Sequence, residues 1–128
     1  MQSSEVVLTV PAESSYVSLV RTAASAVCSQ ADFTVDALDD FRLAVDEACA
    51  LAIAAAPEGA DLTVTFRTLG HTVEVDLLSP SATGSPIGTN TFAWTVLTAL
   101  VDSVETEVTD DSLLGIRLRA HGIESVVS

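Results

Sequence analysis

Two hydrophobic rhythms alternate along the chain, one of period two and one close to 3.6. Residues 5–10 (EVVLTV) read as a strand closed by Pro11, which cannot donate to a ladder. From Tyr16 to Ser29 the apolar positions fall at helical spacing: Tyr16, Val17, Val20, Ala24, Val27 and Cys28. Ser14, Ser15, Ser18, Arg21 and Ser25 lie off that stripe, and Glu13, Ser14 or Ser15 is positioned to start the helix. A second helix is better marked. Thr34 caps it, Phe33 and Leu38 flank the cap as a hydrophobic staple, and Pro57 bounds it. Its stripe runs Leu38, Phe41, Val45, Ala48, Cys49, Ala52.

The rhythm then changes to two. Leu62, Val64 and Phe66 alternate with Thr63, Thr65 and Arg67, and Val73, Val75 and Leu77 alternate with Glu74 and Asp76, which predicts a hairpin. Ser79 to Asn90 is a loop by composition. Phe92 to Val104 reads as a third helix, with Ala93, Val96, Leu97, Leu100, Val101 and Val104 inward. Thr106 to Val108 is a short strand, Asp110-Asp111 a turn, and Leu114, Ile116, Leu118 and Ala120 alternate in a last strand. The order β-α-α-β-β-α-β-β predicts an α/β two-layer sandwich. Its sheet is expected to be mixed but mainly antiparallel, with three helices on one face. The 128 residues fit a single domain, 1–128.

Charge narrows the function. The net charge is −13, from 18 acids against five bases, and all five bases are Arg. Neutralising nucleic-acid phosphates takes several clustered cations, so nucleic-acid binding is excluded. An anionic membrane surface repels such a chain, and a basic protein partner is attracted to it. Mean hydropathy is +0.46, yet the uncharged stretch from Leu77 to Val101 is broken by Pro80, Gly84, Pro86, Gly88 and Asn90. The unbroken part, Phe92 to Val101, is about half the ~20 residues a membrane span needs. Residues 1–11 resemble no signal peptide, so a cytoplasmic location is expected, with Cys28 and Cys49 as buried reduced thiols.

Candidate chemistry is sparse. His71 and His121 stand alone, and no metal site or phosphate loop is spelled out. Glu47 stands out among the carboxylates. With Leu43, Leu51 and Ala54 it forms a second face of the second helix, apolar apart from Glu47 and Asp40. A carboxyl in apolar surroundings has a raised pKa and suits a general base; the plainer reading is a helix-rim glutamate satisfied by water or Arg.

Layout and two segments together resemble the bacterial anti-sigma factors of the histidine-kinase-like ATPase superfamily. Leu43-Ala44-Val45-Asp46-Glu47-Ala48-Cys49 is similar to the start of the superfamily's helical motif, and residues 96–105 (VLTALVDSVE) resemble the helix after the nucleotide lid. The resemblance places Glu47 at the general base, Leu51 at the Mg²⁺-holding Asn and Ala55 at a His. It puts Asp76 nearest the adenine-binding Asp, with Leu78 and Pro80 replacing two glycines, and Ala93 at a phosphate-binding glycine. An alkyl group offers no oxygen to a hard cation.

The resemblance implies a protein that sequesters a sigma factor and is released by an anti-anti-sigma partner, with Ser18 and Arg21 on the contacting side of the first helix. Intact family members are ATP-dependent serine/threonine kinases of that partner. Here the lost motifs favour stoichiometric binding with no cofactor, and Glu47 is catalytic only under the kinase alternative. A third reading keeps the fold and uses the remnant pocket for another small ligand. An exposed sheet edge permits a homodimer.

Overall fold

A computed structural model describes residues 3–122. Strand β1 (Ser3–Pro11) leads through a 3-10 turn (Ser14–Tyr16) into α1 (Val17–Gln30) and α2 (Val35–Ala55). The hairpin β2 (Asp61–Leu69) and β3 (Thr72–Pro80) follows, then α3 (Phe92–Leu100), β4 (Ser103–Val108) and β5 (Leu113–His121). The strands form one sheet in the order β1-β2-β3-β5-β4. All four pairings are antiparallel, so the mixed sheet expected from sequence is antiparallel throughout the described residues.

Alternation assigns each strand two faces. The inner side chains meet across the strands in rows, one being Val6, Phe66, Val75, Leu118 and Val104, and another Leu8, Val64, Leu77, Ile116 and Thr106. Phe66, Val75, Leu118, Val64, Leu77 and Ile116 join Val20, Ala24, Phe41, Val45, Ala48 and Leu97 from the three helices in one buried core, with Leu8 and Val104 packed at its margin and Val6 46% exposed. Phe33 and Phe41 meet edge to face with ring centroids 5.9 Å apart, which fixes the start of α2.

The middle of the outer face carries three rows, beyond which Leu69, Thr72 and His121 lie at one end and Asp61 at the other. Glu5, Arg67, Glu74, Arg119 and Ser103 form one; Val7, Thr65, Asp76, Arg117 and Glu105 the second; Thr9, Thr63, Leu78, Gly115 and Glu107 the third. Asp76 is the hub. It accepts from Arg117 Nε at 2.6 Å and from the Arg67 guanidinium, and Arg67 also reaches Glu5 at 3.1 Å. Burial pushes the Asp76 carboxyl upward, but the hydrogen bonds from Arg117 and Arg67 outweigh it and leave the group below its usual value.

Turn chemistry matches the backbone. Gly70 adopts φ +61° in the two-residue hairpin turn, a conformation glycine reaches without strain. Thr34 caps α2, its side chain accepting from the Ala37 amide at 3.1 Å. No serine caps α1: the 3-10 turn intervenes, and neither Glu13 nor Tyr16 makes a side-chain cap. The third helix stops at Leu100, four residues short of the expected end, and Val104 lies in β4. Period-two and helical patterns overlap across Val101 and Val104. Pairing of Val104 with Leu118 decides for the strand.

Candidate functional site

The helical layer presents two neighbouring surfaces. On the first, α1 and α2 lie side by side and are tied by one ion pair. Arg21 Nε donates to both carboxylate oxygens of Asp46, at 2.9 and 3.1 Å. Arg42 sits 3.6 Å from Asp39 one turn earlier on α2, and its Nε is buried without a partner. With Leu43 these residues line a cleft of 450 Å³. Ser18 is exposed on α1, and its side chain makes no hydrogen bond among the described residues. Arg21, expected to face a partner, is thus held by Asp46, with its side chain 39% exposed.

The second surface runs along α2 to the 81–91 loop and α3. Glu47 is exposed, and so are Leu43 and Ala54. Glu47 therefore stands at the exposed rim of the helix, the plainer of its two sequence readings, and is not enclosed by apolar neighbours. The side chains that share its face open to solvent instead of burying it. Leu51 is half-buried and packs on the core, and Ala55 lends its carbonyl to the Ala82 amide at 2.7 Å. Ala93 lies in the first turn of α3, where Thr91 already occupies the Trp94 amide at 3.2 Å.

Asp76, nearest the adenine-binding Asp in the resemblance, lies away from the α2–α3 surface. Its side chain projects from the outer sheet face, opposite the helices, and is held by Arg67 and Arg117. The inner-face polar residue at the end of β3 is Ser79, 2% exposed, whose Oγ has no partner. The alternation read from the sequence separates Asp76 from Ser79 in the same way. Mg²⁺-nucleotide does not fit these residues. Leu51 supplies no oxygen to a hard cation, and the chain has no lysine to meet the phosphates.

The remaining candidates are structural. His71 Nδ1 bonds the Ala31 carbonyl at 3.0 Å, and His121 contacts Asp102. Among the described residues no group of three or more His, Cys, Asp or Glu is placed to hold a metal, and no helix is long and apolar enough to cross a membrane. Cys28 and Cys49 are free, and burial pushes both thiols up to about 12; Asp46 adds to the rise at Cys49, against Arg21.

Sheet order, three helices on one face and a loop-bounded α2–α3 surface define a two-layer α/β sandwich. Residues 10–112 match the family model described as Histidine kinase-like ATPase domain, and the chain belongs to that family. The protein named "Anti-sigma-F factor RsbW", from two strains of Mycobacterium tuberculosis (CDC 1551 / Oshkosh and ATCC 25618 / H37Rv), is 36% identical to it over 99 residues. That alignment covers 77% of this chain and 59% of each relative's length.

Proposed function

We propose that the chain is an anti-sigma factor that sequesters a sigma factor by direct binding. The observation that carries this reading is the 36% identity to a protein named as an anti-sigma factor, spread over 77% of the chain. The charge distribution supports it, since a strongly acidic protein attracts a basic one and suppresses acidic competitors. The misfit of Mg²⁺-nucleotide favours stoichiometric capture over phosphoryl transfer. Release then comes from an anti-anti-sigma protein that competes for the same surface. Self-association into a homodimer belongs to the same reading.

The contacting surface is the α1 side of the helical layer, with Ser18 exposed and Arg21 presented beside it. Co-purification with individual sigma factors, followed by calorimetry, tests the reading. One sigma factor should bind with 1:1 stoichiometry per chain or per dimer and be displaced by the competitor without ATP. Failure of every sigma factor to bind defeats the proposal. Ser18→Arg tests the surface more cleanly than a change at Arg21, which also breaks the Asp46 pair. It should weaken binding at least tenfold. Unchanged affinity removes the polar side of α1 from the interface.

A further inference from the structure

The sheet ends at β4, which has β5 as its one neighbour. The register fixes which of its backbone groups are spent. Thr109 donates to the Leu113 carbonyl at 2.9 Å, and this pair continues the β4–β5 register. Hydrogen-bonded pairs alternate along an antiparallel ladder, so Glu107, Glu105 and Ser103 turn their amides and carbonyls toward β5. The Gly122 amide, bonded to the His71 carbonyl at 2.7 Å on the other side of β5, sets the same alternation. Val104, Thr106 and Val108 therefore turn their amides and carbonyls outward. Among the described residues no backbone hydrogen bond outside the ladder reaches them.

Edge strands are commonly kept from pairing by a proline, a lysine or a bulge. Residues 103–108 (SVETEV) contain neither residue and pair with β5 without a skipped position. What they carry is negative charge. Residues 102–111 hold five of the eighteen acids, Asp102, Glu105, Glu107, Asp110 and Asp111, and no base. Two such edges repel each other, which disfavours a second copy there and draws in a strand of opposite charge. The far edge differs. β1 ends in Pro11, which has no amide to offer, and its single acid, Glu5, is held by Arg67 at 3.1 Å.

We propose that β4 accepts an extended segment of a second protein as an added strand, with lysine or arginine at alternate positions. Main-chain bonds to Val104, Thr106 and Val108 supply the affinity, and the side chains supply the selectivity. Alternate residues of the added strand fall on opposite faces of the sheet. Those on the outer face lie beside Glu105 and Glu107, which suits basic side chains. Those on the inner face lie beside Val104, at the margin of the core, and suit valine or isoleucine. This goes beyond capture of a sigma factor by the helical layer and does not depend on it.

Titration of the full chain with the end-blocked peptide Lys-Val-Lys-Val-Lys-Val, matched to the six residues of β4 and followed by amide NMR, tests this. The peptide should shift the amides of Val104, Thr106 and Val108 and slow their hydrogen exchange, and binding should weaken with added salt. The block peptide Lys-Lys-Lys-Val-Val-Val should bind at least tenfold more weakly. Thr106→Pro removes an outward amide without breaking the ladder and should also weaken binding at least tenfold. Thr106→Val loses the same side-chain hydrogen bond to the Gly115 carbonyl but keeps the amide, and should bind like wild type. Glu105→Lys with Glu107→Lys should abolish binding of the basic peptide and admit Glu-Val-Glu-Val-Glu-Val. Circular dichroism shows whether each variant is folded; if Thr106→Pro is not, the charge reversal decides. No binding by the alternating peptide overturns the inference. Equal binding of the two basic peptides overturns it as well, because attraction of charge alone would explain both. If Thr106→Pro instead dissociates a dimer in sedimentation equilibrium, the edge pairs two copies and the proposed partner is wrong.

Discussion

The inner and outer faces of the sheet are drawn from the same five strands, yet they solve opposite problems. Phe66 and Val75 point inward at zero exposure and gain their stability from leaving water. Their neighbours Arg67 and Asp76 point outward, stay in contact with solvent, and gain theirs from each other. One face is held by volume and the other by geometry among charges. The two should therefore respond differently to truncation, to pH and to salt.

Truncating the inner face should cost the most. Phe66→Ala removes a fully buried ring from the middle of the core and should destabilise by about 3–5 kcal/mol in urea unfolding. Thr65→Ala, one residue away on the outer face, should stay within about 0.5 kcal/mol. Equal losses would mean that the outer face is packed against something in solution, and the contrast would fail.

Added volume offers a second probe of the covered side. Gly122 is buried where the end of β5 meets the α1–α2 connection. Its amide donates to the His71 carbonyl at 2.7 Å, and its carbonyl accepts from Thr34 at 3.0 Å. A Cβ there would sit 2.0 Å from Phe33 Cδ1. Gly122→Ala should cost about 1–3 kcal/mol, unless the Phe33 ring swings aside. A variant within error of wild type would show that this corner is loosely packed.

The outer network should contribute less and should do so with a pH signature. Asp76→Asn should cost about 1 kcal/mol, discounted for the solvent that screens the pair. Because the folded Asp76 carboxyl titrates below its usual value, the stabilisation is complete above the unfolded value near pH 4. It is lost as pH falls through the folded value. The gap between wild type and Asp76→Asn should be constant at neutral pH and close in acid. A gap that persists far below pH 4 would assign the effect to packing.

Much of this contrast was legible in the sequence. Alternation in residues 62–67, 73–77 and 114–120 separates the faces, and Thr34 with Phe33 and Leu38 marks the second helix. Failures came where a pattern supports two periods or where partners are distant. Val104 fits a helix stripe and a strand row, and only its pairing with Leu118 decides. Arg21 looked available because Asp46 is 25 residues away in the chain. Alternation places Asp76 on the polar face of the hairpin, but its partners Arg67 and Arg117 lie 9 and 41 residues away. Glu47 shows the limit of a helical wheel: an apolar second face is enclosed only if another element covers it.

Glu47 gives the smallest expected effect and separates the present chemistry from the family's. It is exposed on α2, and no hydrogen bond or ion pair holds it among the described residues. Glu47→Gln should therefore leave stability within about 0.5 kcal/mol. Sigma-factor affinity should match wild type, and so should the rate at which a competing anti-anti-sigma protein displaces it, with or without Mg-ATP. If labelled phosphate passes from ATP to that competitor and Glu47→Gln abolishes the transfer, the carboxylate is a working base. The site would then accept a nucleotide despite Leu51. Absence of transfer from the wild type, with capture intact, means that the helical layer acts through binding alone.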